Sequence, residues 1–252
     1  MTPSHPILIA GESWTTHSIH QKGFDSFTTT DYVEGVHALR KALEDRGWRI
    51  VYQPSHVAAR EFPSSAESLS ARFSTVVLSD IGSNTLLLHP DTFSKSRRTP
   101  NRLAAIRDFV AAGGGLVMIG GYLSFQGIDA KARYGGSPIE EALPVQMLGG
   151  DDRVEMPEGG IADVGLPDHP IVAGLDSPWP PLLGYNRVSA SPGSSVVATI
   201  GNDPLLVTGR FGNGRCVAFM SDCGPHWAPD EFVNWRGYRT LWQQIAGWVA
   251  AR

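Results

Sequence analysis

Residues 113–121 read GGGLVMIGG, and this stretch decides the fold class. The four apolar residues from Leu116 to Ile119 have glycines on both sides, and such a run is typical of a strand that is buried on both faces. Directly before it, apolar residues recur at helical spacing over 100–112, with Thr99 as the expected N-cap. The stretch therefore predicts a helix that leads into a buried strand.

Toward the N-terminus the same pattern repeats. Short apolar runs at 7–10, 49–52 and 75–79 predict three more strands. A capping box that begins at Asp31 predicts a helix over 31–46. Strands that alternate with helices and are apolar throughout indicate a parallel sheet that is covered by helices on both faces.

The second half of the chain predicts closely spaced strands instead. Four short apolar runs are separated by turns: 187–190, 196–200, 205–210 and 216–220. The dipeptide Asn213-Gly214 is a strong hairpin signal between the last two. We interpret these strands as an antiparallel extension of one sheet edge, followed by a final helix over about 234–249. No repeat or low-complexity linker divides the chain, so we expect one domain over 1–252.

Composition excludes several classes of partner. Lys plus Arg is 21 and Asp plus Glu is 25, which gives a net charge of −4 and no basic surplus for nucleic acid. No apolar stretch reaches the ~18 residues of a membrane span, and the first residues do not resemble a signal peptide. We therefore expect a cytoplasmic protein without membrane or nucleic-acid partners.

Metal and cofactor motifs are absent from the sequence. The two cysteines, Cys216 and Cys223, form neither a disulfide framework nor a zinc motif. A polar loop is predicted over 12–29, in which His17 and His20, three residues apart, could line a pocket or coordinate a metal but fit solvated loop histidines better. We therefore predict no metal and no cofactor.

Polar residues directly follow four predicted strands, in the segments GESW (11–14), DIGSN (80–84), GGYLS (120–124) and SDCGPHW (221–227). In an open parallel sheet, ligands bind outside the carboxyl ends of the strands. We therefore expect these segments to converge on one ligand site. The candidate ligand-binding residues are Ser13, Trp14, Asp80, Ser83, Asn84, Gly121, Tyr122 and Trp227.

Four residues in these segments are candidates for catalysis. Glu12 is a candidate general base, and Asp222 a group that orients a base or binds ligand. Cys223 and His226 are three residues apart, and an imidazole lowers the pKa of a neighbouring thiol, so they are a candidate nucleophile pair. The backbone amides at Gly121 could form an anion-binding nest. Caps, turns and packing are the alternative roles for all of them.

Four segments together resemble a known family. They are GESW at 11–14, AAGGGLVMIGGYLSF at 111–125, DHPIVAGL at 168–175 and SDCGPHW at 221–227. They are similar to a family of putative glutamine amidotransferases, which is related to the trehalose-utilisation-type proteins. The resemblance implies the class I glutamine amidotransferase-like fold, a flavodoxin-like three-layer α/β sandwich with a mainly parallel sheet.

The chain departs from that family where the chemistry would occur. True class I amidotransferases carry a nucleophilic cysteine at a G-x-C-x-G elbow, whereas the matching residues 119–124 contain no cysteine. Their catalytic H-P-E motif has no match in 221–226. We therefore expect the fold to carry over and the standard glutaminase activity to be absent.

Three functions fit these observations. The first is an amidotransferase-like protein that binds a small polar metabolite and hydrolyses or isomerises it with Glu12, Asp222 and His226. The second is a non-catalytic ligand-binding or assembly protein, and formation of a homo-oligomer stays open in either case. The third is an amidase that uses Cys223 and His226.

Overall fold

A computed structural model describes residues 5–251. Eight strands form the central sheet, in the spatial order β4 (Ile50–Gln53), β1 (Ile7–Gly11), β5 (Thr75–Ser79), β6 (Gly115–Ile119), β14 (Gly214–Phe219), β13 (Asp203–Phe211), β12 (Ser195–Ile200) and β9 (Ala162–Val164). The first five strands are mutually parallel, and the last three continue the sheet antiparallel. The mainly parallel sheet with an antiparallel edge is thus confirmed.

The predicted edge differs from the structure in two details. The run at 216–220 is antiparallel to β13, as predicted, but β14 also pairs in parallel with β6 and so completes the parallel half. The run at 187–190 was expected in the main sheet. It is β11 (Val188–Ala190) instead, which pairs with β7 (Val145–Met147) in a separate two-stranded sheet. Short apolar runs show that a strand forms, but they do not show which strand it pairs with.

Two further pairs of strands lie outside the main sheet. They are β8 (Arg153–Gly160) with β10 (Leu182–Asn186), and β2 (Ser13–Lys22) with β3 (Asp25–Glu34). The helices are α1 (His37–Glu44), α2 (Ser55–Glu61), α3 (Ala66–Ser70), α4 (Ser83–Leu87), α5 (Pro90–Lys95), α6 (Arg102–Ala111), α7 (Pro138–Ala142), α8 (Asp230–Val233) and α9 (Arg236–Ala250). None of the helices within residues 5–251 is long and apolar enough to cross a membrane.

Helices form a layer on each face of the sheet. The helices α1 and α9 pack on each other, and α9 contacts β5, β6 and β14. The other layer contains α2, α3, α4 and α6, which contact one another. The apolar stripe of α9 packs inward as its spacing predicts, and the Trp242 ring meets the Phe219 ring of β14 edge to face at 5.4 Å. This three-layer arrangement matches the flavodoxin-like expectation.

The predicted loop over 12–29 and the predicted helix over 31–46 are both wrong in part. Residues 13–34 form the β2–β3 hairpin, and α1 begins only at His37. Asp31 lies within β3 instead of capping a helix, and the actual N-cap residue, Val36, makes no side-chain cap bond. The local capping pattern was therefore overridden by pairing of two strands that are rich in β-branched and aromatic residues.

The N-cap of α6 also differs from the prediction. Asn101, and not Thr99, caps this helix: its side-chain oxygen accepts hydrogen bonds from the amides of Leu103 and Ala104.

The two histidines of the predicted loop lie in a strand. In a helix, residues three apart share a face, whereas in a strand they point to opposite faces. Since His17 and His20 both lie in β2, they do not form the metal-ligand pair that their spacing suggested.

Candidate active site

The sheet order brings four loops to one place. The strands β1, β5, β6 and β14 are neighbours, and all are parallel, so the loops that follow their carboxyl ends meet at one edge. A cavity of about 470 Å³ opens there. Its walls are formed by Trp14, Asp80, Tyr122, Leu123, Ile128, Asp222, Pro225 and His226. Five of the residues predicted from the sequence therefore share one cavity.

The backbone turns sharply where the carboxylates leave the sheet. Glu12 has φ of 48° and Asp80 has φ of 42°, which is the left-handed region that residues with a Cβ seldom adopt. The preceding Gly11 has φ of 106°, and a Cβ there would lie 2.0 Å from the carbonyl oxygen of Ser79. Strained conformations of this kind cluster at functional sites. Here the tight turns place two acidic side chains at the carboxyl edge of the sheet.

Glu12 lies behind the cavity wall and is only 1% exposed. Its Oε2 accepts a hydrogen bond from Ser79 Oγ at 2.5 Å, and the Cys223 thiol donates to the same oxygen at 3.8 Å. Burial, and then repulsion from the Asp80 carboxylate, raises the pKa of Glu12 to about 7. Near neutral pH this carboxyl group therefore exchanges a proton readily.

Asp222 is the buried partner of Glu12, and it reaches the cavity. Its Oδ1 accepts hydrogen bonds from the amides of Cys223 at 2.6 Å and Gly224 at 3.2 Å. Carboxyl oxygens of Glu12 and Asp222 lie within 4.8 Å of each other. Burial, and then the charges of Glu12 and Asp80, raise the pKa of Asp222 well above its usual value. Two such close carboxyl groups titrate as one unit that retains a proton at neutral pH.

His226 lines the cavity beside Asp222. Its Nδ1 lies 4.0 Å from Asp222 Oδ2, and its ring packs edge to face on Tyr122 with centroids 4.0 Å apart. Burial lowers the pKa of the imidazole despite the nearby acidic groups. The ring is therefore mostly neutral at pH 7 and is able to accept a proton.

Asp80 is the third carboxyl group of the cavity, and it also holds a loop. Its Oδ1 accepts a hydrogen bond from the amide of Leu123 at 2.6 Å. Burial raises its pKa, and hydrogen bonding to the Leu123 amide and the charge of His226 oppose that shift. The side chain thus joins the loop after β5 to the loop after β6.

Two residues that the sequence analysis missed fix the Tyr122 side of the cavity. Glu155 accepts hydrogen bonds from the Tyr122 hydroxyl at 3.1 Å and from Trp227 Nε1 at 2.9 Å. The Arg153 guanidinium lies 4.8 Å from the centre of the Tyr122 ring. Both residues belong to β8, far from the predicted strand ends, so no local sequence signal pointed to them.

Several predicted ligand-binding residues do not line the cavity. Ser13 accepts a hydrogen bond from the amide of Ser55 at 2.8 Å and so anchors the start of α2. Ser83 donates through Oγ to the carbonyl oxygen of Arg133 at 2.9 Å. Asn84 is exposed on α4. Trp227 is buried, and its indole nitrogen is bonded to Glu155. Ser13, Ser83 and Trp227 thus stabilise the loops around the cavity instead of facing it.

The predicted anion nest at Gly120-Gly121 does not form. The amide of Gly121 donates to Asn186 Oδ1 at 2.9 Å, and that of Gly120 donates to the carbonyl oxygens of Phe219 and Ser221. Both donors are therefore occupied within the protein. Gly121 is required for another reason, because a Cβ there would lie 3.0 Å from Asp80 Oδ1.

The predicted pairing of Cys223 with His226 is also not formed. The thiol is fully buried, and its hydrogen-bond neighbours are Ser79 Oγ at 3.6 Å and Glu12 Oε2 at 3.8 Å. Burial, and then the charges of Glu12 and Asp222, raise its pKa well above the usual value. A nucleophilic cysteine requires the opposite shift. Cys223 is therefore a buried neighbour of the carboxyl pair.

One group within residues 5–251 could surround a cation. The donor atoms of Glu12, Asp222 and Cys223 all lie within 4.8 Å of one another. Metal ligands must be deprotonated, whereas burial and mutual repulsion favour the protonated forms of all three groups. A cation would therefore have to displace at least one proton from this cluster.

We expect iodoacetamide to leave both cysteines of the native protein unmodified at pH 7.5. Cys216 is buried too, and burial raises its pKa to about 12, so neither thiol is accessible or ionised. Mass spectrometry after a timed reaction measures the modification, and the protein unfolded in denaturant provides the control in which both thiols react. Rapid labelling of Cys223 in the native protein would contradict its burial beside the carboxyl pair.

Comparison with known proteins agrees with this fold. The family model described as putative glutamine amidotransferase, GATase1-like, matches residues 6–251. Two solved cytoplasmic proteins of Salmonella typhimurium are each 47% identical to this chain. One has a TM-score of 0.95 and aligns over 98% of this chain and 100% of its own, and the other, from strain LT2, has a TM-score of 0.93 and aligns over 97% and 99%.

More distant similarity extends to the fold alone. A β-galactosidase from Rahnella sp. R3 is 14% identical with a TM-score of 0.52, and the match covers 83% of this chain and 26% of that one. No curated protein matches the chain. The family match spans nearly every described residue. The chain belongs to the putative glutamine amidotransferase family, GATase1-like.

Proposed function

We propose that this protein is a cytoplasmic acid–base enzyme that hydrolyses or isomerises a small polar metabolite. The observation that carries the proposal is the buried Glu12–Asp222 carboxyl pair, which reaches the cavity through Asp222 beside His226. The cytoplasmic location is proposed from the two Salmonella relatives, both of which are described as cytoplasmic proteins.

The protonation states supply an acid and a base on one cavity wall. The proton retained by the carboxyl pair makes Asp222 a proton donor at neutral pH, and the neutral imidazole of His226 makes it an acceptor. In a hydrolysis, His226 would take a proton from the attacking water, and Asp222 would protonate the leaving group. In an isomerisation, the two groups would remove a proton and return it at different atoms.

Glu12 acts through Asp222 in this scheme, because it is buried behind the wall and does not line the cavity. Its role is that of a positioning residue that raises the pKa of Asp222 by repulsion. Ser79 donates a hydrogen bond to Glu12 and so fixes which carboxyl oxygen faces the thiol.

The cavity suits a small molecule with both polar and apolar parts. Its volume of about 470 Å³ lies within the usual range of small-molecule sites, roughly 300–1,000 Å³. Asp80 offers a carboxyl group for a substrate hydroxyl or amine. Trp14, Leu123 and Ile128 supply an apolar wall. Sugars, sugar acids and amino-acid derivatives combine these features.

Glutamine hydrolysis is not part of the proposal. Gly121 and Tyr122 occupy the region where the family elbow carries its cysteine, and the nearest thiol, Cys223, is fully buried. A thioester intermediate would require an accessible, ionised thiol.

A metabolite screen tests the proposal. We expect at least one compound from a library of sugars, sugar acids and amino-acid derivatives to bind, measured by ligand-observed NMR, and to be converted on prolonged incubation. His226→Ala should lower the affinity or the turnover at least tenfold. Asn84→Ala is the matched control, since Asn84 follows the same strand end as Asp80 but lies outside the cavity.

Two results would overturn the proposal. Binding without conversion of any ligand would favour a non-catalytic ligand-binding protein. An equal effect of His226→Ala and Asn84→Ala would place the site elsewhere.

A further inference from the structure

The β2–β3 hairpin extends away from the body of the protein as an arm. Ten residue pairs hold it together without a break, from Ser13 opposite Glu34 to Lys22 opposite Asp25. At about 3.3 Å per residue the arm is roughly 33 Å long. Its base is fixed, because Ser13 binds Ser55 of α2. Beyond the base, every residue of β3 is exposed.

Large apolar side chains lie along this exposed arm. Phe24 occupies the tip and is fully exposed, and Ile19 is 76% exposed. Phe27, Tyr32 and Val33 are exposed as well. Solvent-exposed edge strands are normally protected by lysines or prolines, yet residues 13–34 contain one lysine and no proline. This composition is more typical of a surface that binds another protein than of a surface that stays in contact with water.

The arm also needs a partner for its own stability. An isolated two-stranded hairpin is marginally stable in water, because neither of its faces is covered. Here both faces carry apolar groups: Phe27 and Val33 lie on one face, and Ile19 and Tyr32 on the other. A surface that packs on the arm would therefore stabilise it and remove these groups from water.

We propose that the arm packs on a second copy of this chain, in a symmetric dimer in which each copy contributes its arm. The face with Phe27 and Val33 is the one that lies against the partner, because on the other face the Tyr32 ring already meets the His56 ring of α2 edge to face at 5.4 Å. This face of the ribbon measures about 33 Å by 10 Å and covers roughly 330 Å². A single arm on an unrelated partner would bury about 660 Å² in total, below the roughly 1,200 Å² of a specific interface. Two exchanged arms double this to about 1,300 Å², which is sufficient. The area therefore favours a second copy.

The base of the arm borders the candidate active site. Trp14 belongs to β2 and lines the cavity, and Gly35, the residue after β3, lies so close to Glu12 that a Cβ on it would be 2.5 Å from Oε1. The dimer does not depend on the proposed chemistry, and its test needs no substrate.

Sedimentation velocity of the full chain tests the dimer. We expect the wild-type protein to sediment at twice the monomer mass at micromolar concentration, and the double variant Phe24→Asp/Phe27→Asp to sediment as a monomer. Phe93→Asp is the matched control, since Phe93 is 79% exposed on α5 and lies outside the arm. Circular dichroism shows whether each variant is folded.

Hydrogen exchange provides a second measurement that does not depend on a variant. The amides of residues 13–34 should be protected in the concentrated wild-type protein, and this protection should be lost on dilution to the monomer. A wild-type protein that is monomeric at 100 µM would overturn the proposal. A double variant that is folded and dimeric would also overturn it, because the contact would then lie elsewhere.

Discussion

Replacing Asp222 with asparagine should lower the turnover number by about 10²- to 10⁴-fold, the usual contribution of a general acid or base, and should leave KM nearly unchanged. Asparagine keeps the shape of the side chain, and its oxygen can still accept the amide hydrogen bonds of Cys223 and Gly224. It cannot donate the carboxyl proton that the substrate needs. Steady-state kinetics on the metabolite found in the screen measures both constants.

The matched control is Asp163→Asn, which changes an exposed aspartate of β9 in the same way. This variant should retain full activity. If Asp222→Asn keeps more than a tenth of the wild-type turnover, Asp222 is not the proton donor, and the carboxyl pair has only a structural role.

The stability of the wild-type protein relative to Glu12→Gln should fall by about 3 kcal/mol as the pH rises from 4.5 to 8. The pKa of Glu12 is about 7 in the folded protein, against 4.5 as the ordinary value. Between these values the folded chain binds more protons than the unfolded chain. The contribution of Glu12 to the free energy of unfolding is therefore fully present below about pH 4.5, and it is lost as the pH rises through about 7. A tenfold difference in proton affinity between the folded and unfolded chains corresponds to about 1.4 kcal/mol.

Urea denaturation at several pH values measures this difference in the free energy of unfolding. Glutamine preserves the acceptor for the Ser79 hydroxyl, and it does not titrate. Glu158→Gln makes the same substitution at an exposed position of β8 and is the matched control. A difference for Glu12→Gln that does not change with pH would show that the pKa of Glu12 is the same in the folded and the unfolded protein, and would contradict the account.

The central sheet was predictable because its strands are buried on both faces. Runs such as Thr75–Ser79 and Leu116–Ile119 have an apolar centre and are buried at every position, and few other structures accommodate such runs. The turn at Gly212 to Gly214 was predictable because its Asn-Gly pair favours one backbone conformation. In both cases the local sequence favours the conformation that the folded protein adopts.

The hairpin over 13–34 was missed because the signals there conflict. Asp31, Val33 and Val36 imitate the start of an amphipathic helix, whereas the structure exposes Val33 and buries Val36. The signal that could have identified the hairpin is Gly23, which lies between two segments of equal length rich in threonine and aromatic residues. Neither segment alternates cleanly between apolar and polar residues, because the arm has no buried face within the monomer.

The location of the site was predictable from the sequence, but the contacts of its residues were not. The strand-end rule brought Asp80, Tyr122 and Asp222 to one cavity. Whether a side chain after a strand faces the cavity or the interior depends on the contacts of its loop in the folded chain, which the sequence does not display. Glu12 and Asp80 both have positive φ, yet Glu12 points inward to Ser79 whereas Asp80 lines the cavity. Cys223 is enclosed by the groups around it. Glu155 joins the site through β8, which no motif connected to it.

The carboxyl pair is the central claim, and its protonation can be observed directly. Difference infrared spectroscopy between pH 5 and pH 9 detects the carbonyl stretch of a protonated carboxyl group and its loss on ionisation. We expect the wild-type protein to retain a protonated buried carboxyl at pH 7. We expect Asp222→Asn to weaken this band, because Glu12 is then the one member of the pair that can still hold a proton, while Asp163→Asn preserves it in full. A wild-type spectrum without any protonated carboxyl at pH 7, or a band that persists unchanged in Asp222→Asn, would contradict the claim.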